Sequence, residues 1–477
     1  MSYVLQGGLV VTFNKDNKPV AFKADVLVDG NTIVKVAEDI QATAGIKVID
    51  CKDKWITPGM VDTHRHVWMT VLGGSHGDML LSEYAVKNSW HVQAHMTAAE
   101  IKISQLAGCL EALHKGVTTV LDHFHAAYSP EMADVALDVT IKSGARVIFC
   151  PSRASAPSKI LPDFEWGREP DMAKWQWQKL KEWAARDGGK LSKDGRVTLG
   201  LGYDLVAPWN IPESQEALKE ARSWPAAIIT AHVCQGPQIK TWKDAGILGP
   251  DVVFSHCNVL SHRTAPDDEL WAALKEHNCG IASTPLDELG CAIGNPVALD
   301  AVSRGVKAGL GADTTSFNSG DLFVQMKMML QWQRGTEFDK VLTGGLQEPS
   351  HNKWRAADAF RLATLGGAEA LNMSHLIGTV EEGKRADLLI FDTGSPNLAA
   401  CADPFLGFVF HASEADIEIV MVDGEIMKEG KNFTRFEWAS IAKELKEAAA
   451  GIQKKWPKEK LEEIWVEYYA KKGPPHF

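Results

Sequence analysis

Five polar residues in this sequence have types and spacings that suit the binding of a divalent metal ion. His64 and His66 alternate in the run Asp-Thr-His-Arg-His, and His232, His256 and Asp313 each close a later apolar run. Residues two apart on a β-strand point to the same side, so His64 and His66 are expected to face one site together. Neutral imidazoles with one carboxylate suit zinc or a similar ion, which lowers the pKa of a bound water toward neutrality. The set therefore predicts a metal-dependent hydrolase.

The elements that would position these residues fill the middle of the chain, from about 57 to 375. Short apolar runs alternate there with amphipathic helical stretches, which is typical of parallel βαβ units. The runs are ITPGMVDTH, VTTVLDHF, ARVIFCP, VTLGLGYD, AIITAHV, VVFSHC, GIASTP and GLGAD. Eight such runs predict a closed (β/α)8 TIM barrel, whose active site lies at the carboxyl ends of the strands. An open doubly wound sheet is the main alternative, but no G-x-G-x-x-G follows the early strands.

Both ends of the chain have a different texture. Residues 1–56 and 376–432 contain short Val- and Ile-rich strands separated by DG and GG corners, which predicts one small β-sandwich formed by both ends. Two unrelated hairpins are the alternative. An insertion at about 160–195 is rich in Trp and Lys and suggests a lid or surface helix. The tail, 433–477, is amphipathic and helical, and it could wrap its own barrel or a neighbouring subunit.

Composition excludes several classes of function. Hydrophobic residues make up 45% of the 477 and charged residues 23%, as in ordinary globular proteins, and the net charge of −11 disfavours nucleic acid or an anionic membrane as partner. The eight cysteines include no C-x-x-C pair, which argues against zinc fingers and thioredoxin-like chemistry. Neither a signal peptide nor a transmembrane run is recognisable, so a cytoplasmic protein is expected.

Several motifs resemble those of the amidohydrolase superfamily, in the cytosine deaminase-like branch that includes the s-triazine hydrolases. They are PGMVDTHRHVW, HVCQ, SHCN, GLGADTTSFNSGDLF and IGTVEEGKRADLLIFD. The resemblance implies a (β/α)8 barrel beside a small β-sandwich. By position it assigns His64, His66, His232 and Asp313 as metal ligands, His256 as a contact to substrate or reacting water, and Asp313 also as general base.

The same resemblance implies one metal ion per chain. Binuclear members of the superfamily bridge two ions through a carboxylated lysine, or a glutamate, on the fourth strand. The run VTLGLGYDLVAP has neither, although Asp204 stands late in it. Zinc is the metal expected from the ligand types, and iron or manganese would bind the same set.

Gln235 is the main departure from the family pattern. Deaminases of this branch carry His-x-x-Glu on the fifth strand, whereas this chain reads His232-Val-Cys-Gln235. Gln235 is assigned to the catalytic site and to substrate binding. An amide hydrogen-bonds but cannot exchange a proton at neutral pH, so the source of the proton is left open. Asp287 and Glu288 are candidate substrate contacts and substitute acids near the mouth, with carboxylates of a helix N-terminus as the alternative.

Two further residues are candidate substrate contacts, namely His125 after the second strand and Trp68 after the first. A structural role for His125 is the alternative, and Arg65 is expected to point away from the barrel axis toward an acidic side chain. The predicted reaction is hydrolysis of a C–N bond in a small cyclic or aromatic compound by a homodimer or higher homo-oligomer. Hydrolytic dehalogenation of a chloro-heterocycle, a metal-dependent decarboxylase and a catalytically inactive barrel are the alternatives.

Overall fold

The computed structural model describes residues 1–152, 157–159, 165–166, 174–225, 227–234, 236–345 and 347–472. Its strands, in chain order, are β1 (Ser2–Phe13), β2 (Pro19–Asp29), β3 (Thr32–Ala37), β4 (Lys47–Asp50), β5 (Lys54–Pro58), β6 (Met60–Arg65), β7 (Val117–Phe124), β8 (Arg146–Pro151), β9 (Pro157–Lys159), β10 (Glu165–Trp166), β11 (Val197–Leu199), β12 (Leu201–Gly202), β13 (Ile229–Val233), β14 (Val252–His256), β15 (Gly280–Ser283), β16 (Lys307–Leu310), β17 (Leu388–Asp392), β18 (Ile417–Val422), β19 (Glu425–Glu429) and β20 (Asn432–Phe433).

Its α-helices are α1 (Leu81–Tyr84), α2 (Ala98–His114), α3 (Pro130–Ser143), α4 (Lys174–Ala184), α5 (Ile211–Ala221), α6 (Gln238–Asp244), α7 (Glu269–Glu276), α8 (Pro285–Gly290), α9 (Ala298–Arg304), α10 (Leu322–Thr343), α11 (Ala356–Leu362), α12 (Leu365–Ala370), α13 (Pro404–Leu406), α14 (Trp438–Lys455) and α15 (Lys458–Lys472). Between the described residues 1 and 472, no helix is both long and apolar enough to cross a membrane.

One nine-stranded sheet joins the two ends of the chain. Its order is β20-β19-β18-β17-β5-β1-β2-β3, with β4 paired to β1. The junction is the antiparallel pair β17–β5, in which Ile390 lies opposite Ile56, and both side chains are buried in the apolar core of the sheet. The predicted β-rich unit made from both ends is therefore confirmed, whereas its boundaries, 1–56 and 376–432, stay predictions.

The barrel strands form two parallel sheets, β11-β8-β7-β6 and β12-β13-β14-β15-β16. The first seam between them is at Gly200, because β11 and β12 are two parts of one fourth strand; Gly200 N donates to Phe149 O and Leu201 N donates to Ile228 O. At the second seam, Asp313 N donates to His64 O and His66 N donates to Asp313 O. Eight parallel strands thus follow the eight predicted runs, as in a (β/α)8 barrel rather than an open sheet.

Local sequence signals set the bounds of the helices around these strands. Helix α2 begins at a capping box in which Thr97 Oγ1 accepts from Glu100 N while the Glu100 side chain accepts from Thr97 N. Helix α3 follows the cap Ser129, has Pro130 as its first residue and ends at Gly144, whose φ of 82° favours glycine. These signals return the chain to the next strand at the correct end of the barrel.

The helical tail packs on its own barrel. Lys455 Nζ donates to His95 O at 2.9 Å, and the Trp456 ring lies 5.8 Å from the His91 ring. Lys87 is almost fully buried and pairs with Glu462 of α15. Of the two alternatives that the sequence left open, the structure shows the first: α14 and α15 cover the segment that follows the first barrel strand.

Candidate metal centre

Four residues predicted as ligands converge at the carboxyl ends of the barrel strands. His64 and His66 are carried by the end of β6, His232 by β13, and Asp313 follows β16. Asp313 Oδ1 lies 3.5 Å from His64 Nε2 and 3.4 Å from His66 Nε2, and the Nε2 atoms of His66 and His232 are 3.2 Å apart. Strands distant in sequence thus bring four potential ligand atoms within a few ångströms.

The other nitrogen of each imidazole is fixed by a neighbour. His66 Nδ1 lies 2.7 Å from the carbonyl oxygen of His123, which can only accept, so Nδ1 carries the proton. His232 Nδ1 lies 3.1 Å from a carboxylate oxygen of Asp204, with the same consequence. His64 Nδ1 lies 2.8 Å from the hydroxyl of Ser255. Two rings therefore turn lone pairs, and not protons, toward the centre.

This arrangement fits a bound cation. Lone pairs on the Nε2 atoms of His66 and His232 would repel each other at 3.2 Å unless a positive charge lay between them. His64 Nε2 is buried and has no hydrogen-bond partner among the described residues. A tetrahedral zinc site with bonds of about 2.0–2.1 Å places its ligand atoms about 3.3 Å apart, close to the separations observed here.

Electrostatics also favour neutral imidazoles at the centre. Burial lowers the pKa of His64 and of His66 well below its usual range, and the neighbouring histidines act in the same direction. Neutral imidazole is the form that binds a metal ion. Among the described residues, His64 with His123 and His232, and His64 with His256 and Asp313, bring possible ligand atoms close enough together to hold a metal ion.

Three residues at the ends of strands that carry the centre have a strained backbone conformation. His256, Cys257 and Asp313 all have positive φ, at 73°, 60° and 54°, in the left-handed region that L-residues with a side chain rarely adopt. Such conformations cost about 1–3 kcal/mol each and persist where the surrounding fold imposes them. Here they turn the side chains of His256 and Asp313 toward each other, with Nε2 and Oδ2 3.8 Å apart.

His256 stands beside the four ligands and is held from behind. Its Nδ1 lies 3.0 Å from Thr284 Oγ1 and 3.6 Å from a carboxylate oxygen of Glu288. Burial opposes a charge on the ring, but Cys234, Glu288 and Asp313 together raise the pKa of His256 well above its usual range. His256 is thus suited to donate from Nε2 to an oxygen near Asp313.

A cavity of about 220 Å³ opens beside this centre. Its lining includes His66, His125, His232, His256, Asp287 and Asp313. Asp287 Oδ1 accepts from Thr314 Oγ1 at 2.7 Å, and Asn318 donates to the other oxygen. Burial, with Asp313 close by, raises the pKa of Asp287 well above its usual range, so this carboxyl favours its protonated form.

The remaining predicted contacts are divided between the cavity and the interior. His125 lines the cavity; its Nδ1 accepts from Gln93 Nε2 at 2.8 Å, which leaves its Nε2–H free to donate. Trp68 is fully buried behind His125, because a 3-10 helix over Val67–Leu72 turns its ring into the core. Glu288 is also buried, accepting from Ser283 Oγ and Thr284 N, and does not reach the cavity. Gln235 lies outside the described residues.

Sequence reasoning gave no role to several residues that the structure brings to the centre. Asp204 follows the fourth strand. A polar residue at the end of a barrel strand is the signal that identified the other candidates, and Asp204 shows the same signal. Its carboxylate contacts both His232 and His123. His76 and Tyr84, whose rings lie 4.4 Å apart, line the cavity from the long segment after β6, where no local pattern marks them. Arg65 points outward to Glu111 at 2.9 Å, as expected.

Comparisons with known proteins identify the family and support the fold. The model of the amidohydrolase family matches residues 55–427. A 5-methylthioadenosine/S-adenosylhomocysteine deaminase of Symbiobacterium thermophilum is 27% identical over 94% of this chain and 98% of its own length. Among solved structures, a zinc-bound adenosine deaminase from Xanthomonas campestris has a TM-score of 0.76 at 19% identity, covering 95% of this chain and 98% of its own. The atrazine chlorohydrolase of Arthrobacter aurescens TC1, complexed with zinc, has a TM-score of 0.76 at 20% identity over 94% of this chain and all of its own.

Proposed function

This chain belongs to the amidohydrolase family, and we propose that it is a mononuclear zinc enzyme that hydrolyses a C–N bond on a ring of a small heterocyclic compound. The observation that carries the proposal is the convergence of three imidazoles and one carboxylate with the Nε2 lone pairs of His66 and His232 turned inward. The match to the amidohydrolase family and the relatives named as deaminases support a hydrolase that acts on C–N bonds.

The roles of the ligands follow from their contacts. His64, His66 and His232 would hold the ion through Nε2, and Asp313 through Oδ1. When bound, the ion supplies Lewis acidity and lowers the pKa of a water molecule. Nδ1 contacts with Ser255, His123 and Asp204 keep the rings in place throughout.

Asp313 and His256 would handle the reacting water and the charge that develops on the substrate. Asp313 directs Oδ1 toward His64 and His66, which leaves Oδ2 as the oxygen that accepts the proton of the water. His256 Nε2, 3.8 Å from that oxygen, donates to the substrate atom that becomes negative during attack. Strained backbone at both residues fixes this geometry before the substrate arrives.

Asp287 would supply the proton that the leaving group needs. A ring amino group leaves as ammonia only if it is protonated, and Gln235 cannot deliver a proton. Asp287 lines the same cavity and favours its protonated form. It lies on the first turn of α8, after the seventh strand, and would serve in place of the glutamate that the family motif carries on the fifth strand.

The size of the cavity favours a compact ring system. Its volume of about 220 Å³ lies below the roughly 300–1,000 Å³ typical of sites for drug-sized ligands. The relative from Symbiobacterium thermophilum is named for deamination of adenine-containing compounds. An aminated nitrogen heterocycle, such as an aminopurine, is therefore the substrate class that we propose.

Hydrolytic removal of halide from a heterocycle is the second candidate. Gln235 favours it, since chloride leaves without protonation and needs no acid at that position. The two reactions differ in whether Asp287 is required, and that difference separates them by experiment.

The first experiment measures metal content and screens amino- and chloro-substituted purines, pyrimidines and triazines for released ammonia and chloride. We expect about one zinc per chain and release of ammonia from an amino-heterocycle. Chloride release that survives Asp287→Asn would instead establish the dehalogenase. A chain without metal, or without hydrolysis of any C–N bond in the panel, would contradict the proposal. Size-exclusion chromatography with light scattering tests the predicted homo-oligomer.

A further inference from the structure

We propose that Asp204 and His123 form a positioning pair that sets the metal affinity of the centre, although neither is a ligand. This inference rests on the proposed function, because it concerns the metal that the centre holds. The pair lies on the strands next to those of the ligands, with Asp204 just beyond β12 and His123 near the end of β7.

Asp204 restrains His232 in two ways. Its Oδ1 accepts from the main-chain N–H of His232 at 2.8 Å, and its two oxygens lie 3.2 and 3.1 Å from His232 Nδ1. The first contact fixes the backbone and the others fix the rotation and tautomer of the ring. A carboxylate at Nδ1 also makes the opposite nitrogen more basic and strengthens it as a ligand.

His123 connects Asp204 to a second ligand. Its Nε2 lies 3.1 Å from Asp204 Oδ2, and its own carbonyl oxygen accepts from His66 Nδ1 at 2.7 Å. One residue thus contacts the carboxylate with its side chain and a ligand with its backbone. A displacement of the His123 ring would therefore change the contacts that orient both His66 and His232.

The fold makes specific room for this ring. A Cβ at Gly202 would stand 2.9 Å from His123 Nε2 and 2.5 Å from the Ser152 side chain. Those distances are shorter than real side chains tolerate, so glycine is required at the last residue of β12. His123 is fully buried, and neither of its ring nitrogens has a hydrogen bond of good geometry in the described part of the chain. The carboxylate of Asp204, 3.1 Å from Nε2, is a charged group that this ring contacts.

The surroundings of Asp204 support the same role. Its side chain is 30% exposed at the rim of the barrel. A carboxylate in contact with the Nδ1 atom of an imidazole strengthens that imidazole as a metal ligand.

The test compares zinc dissociation constants of the wild type, Asp204→Ala, Asp204→Asn and Gly202→Ala, measured by competition with a chromophoric chelator. We expect Asp204→Ala to bind zinc about 10–100-fold more weakly. Asp204→Asn, which keeps an acceptor for Nδ1–H but loses the charge, should lie between wild type and Asp204→Ala. Gly202→Ala, which displaces the His123 ring, should also weaken binding.

Asp122→Asn is the matched control, because Asp122 is a buried carboxylate next to His123 that bonds Val67 N and Gln105 rather than an imidazole. It should change the thermal midpoint of the metal-free protein without changing its zinc dissociation constant. A merely structural role for Asp204 predicts the same behaviour for Asp204→Ala, and that result would overturn the inference. Two zinc ions in the wild type and one in Asp204→Ala would also overturn it, since Asp204 would then be a ligand.

Failure of the proposed function has a different signature. Wild type that binds zinc but hydrolyses no C–N bond would contradict the function and leave the affinity comparison valid. Wild type that is active, with an affinity unchanged in Asp204→Ala, would contradict the positioning pair alone.

Discussion

The two ends of the barrel both bury clusters of charged and titratable residues, yet the clusters are built on opposite rules. At the amino ends of the strands, Arg146 donates Nε and Nη2 to Asp387 at 2.8 and 2.9 Å and contacts Asp423. Arg196 pairs there with Asp423 and Glu425. At the carboxyl ends, His64 Nε2 has no hydrogen-bond partner among the described residues, and the lone pairs of His66 and His232 face each other.

The difference shows how the structure separates stability from function. The cluster at the amino ends, the lower cluster, pairs its charges with one another and connects barrel strands to the sheet formed by both chain ends. In the cluster at the carboxyl ends, the upper cluster, the outward ring nitrogens have partners within the protein. Its inward ring nitrogens remain available to bind a metal ion. Removing one partner of a buried, satisfied pair costs stability. Removing a ligand from an unsatisfied set should cost binding instead.

The largest effect is expected for His64→Ala. The variant should lose zinc and lower turnover by about three orders of magnitude or more, because the activated water depends on the ion. Metal analysis and a turnover assay of the same sample measure both effects. Metal-free His64→Ala should unfold at nearly the temperature of the metal-free wild type. A large loss of stability would contradict the view that the residues at the carboxyl ends serve metal binding and not the stability of the fold.

Arg146→Met should give the opposite result. It leaves Asp387 and Asp423 buried with one partner fewer, which costs about 3–5 kcal/mol of unfolding free energy. Urea denaturation measures this, and metal content should stay at the wild-type level. Arg222→Met is the control, since the pair of Arg222 with Asp251 is partly exposed and is worth about 1 kcal/mol or less.

Asp287→Asn tests whether one residue of the upper cluster acts in catalysis without holding the metal ion. It should keep zinc and lower deamination by about 100-fold, because general acid catalysis contributes effects of this size. Steady-state kinetics with the amino-heterocycle found in the screen provide the measurement. Unchanged turnover would remove Asp287 as the proton donor and favour a leaving group that needs no proton.

Lys428 gives the smallest effect and is an exception at the lower end. It is buried without a carboxylate partner within 4 Å in the described residues, its Nζ donating to the carbonyls of His114 and Ile417 at 3.2 Å. Burial lowers the pKa of Lys428 to about 8, from 10.5 in the unfolded chain.

The sign of the pH dependence follows from those two pKa values. Between about pH 8 and 10.5 the unfolded chain binds more protons, so this residue makes stability rise with pH, by at most about 1.4 kcal/mol per unit. Lys428→Met should remove that rise relative to wild type in urea denaturation at pH 8 and 9.5. Parallel profiles for the two proteins would show that Lys428 titrates normally.

Much of the fold could be predicted because its signals are local. Eight apolar runs, each closed by turn or helix-capping residues, identify the barrel strands, and polar residues at their ends identify the metal centre. The family match confirms the predicted amidohydrolase-type enzyme. Asp204 stands at the end of the fourth run and carries the same signal, but its contact with Nδ1 of His232 depends on ring rotation, which no sequence pattern encodes.

Other features depend on packing between distant segments. Trp68 stands two residues after a predicted ligand, yet a short 3-10 helix turns it away from the cavity. The amphipathic pattern of the tail predicts helices but does not name the surface they cover. Here that surface is the segment after β6, held through Lys87 and Glu462. The ligand set itself stays a prediction that metal analysis of the variants will test.

The backbone hydrogen bonds that join Asp313 to His64 and His66 bear on when the chain can bind metal during its synthesis. The two halves of the metal centre are about 250 residues apart in sequence, so their meeting closes a long loop. With the predicted ligand set, a nascent chain that has not yet emerged past its eighth strand lacks Asp313 and has only part of the coordination sphere. We therefore expect complete metal loading only after the whole barrel has been synthesised. An ion bound by residues on both sides of this seam would oppose separation of the first and eighth strands, and would therefore stabilise the closed barrel.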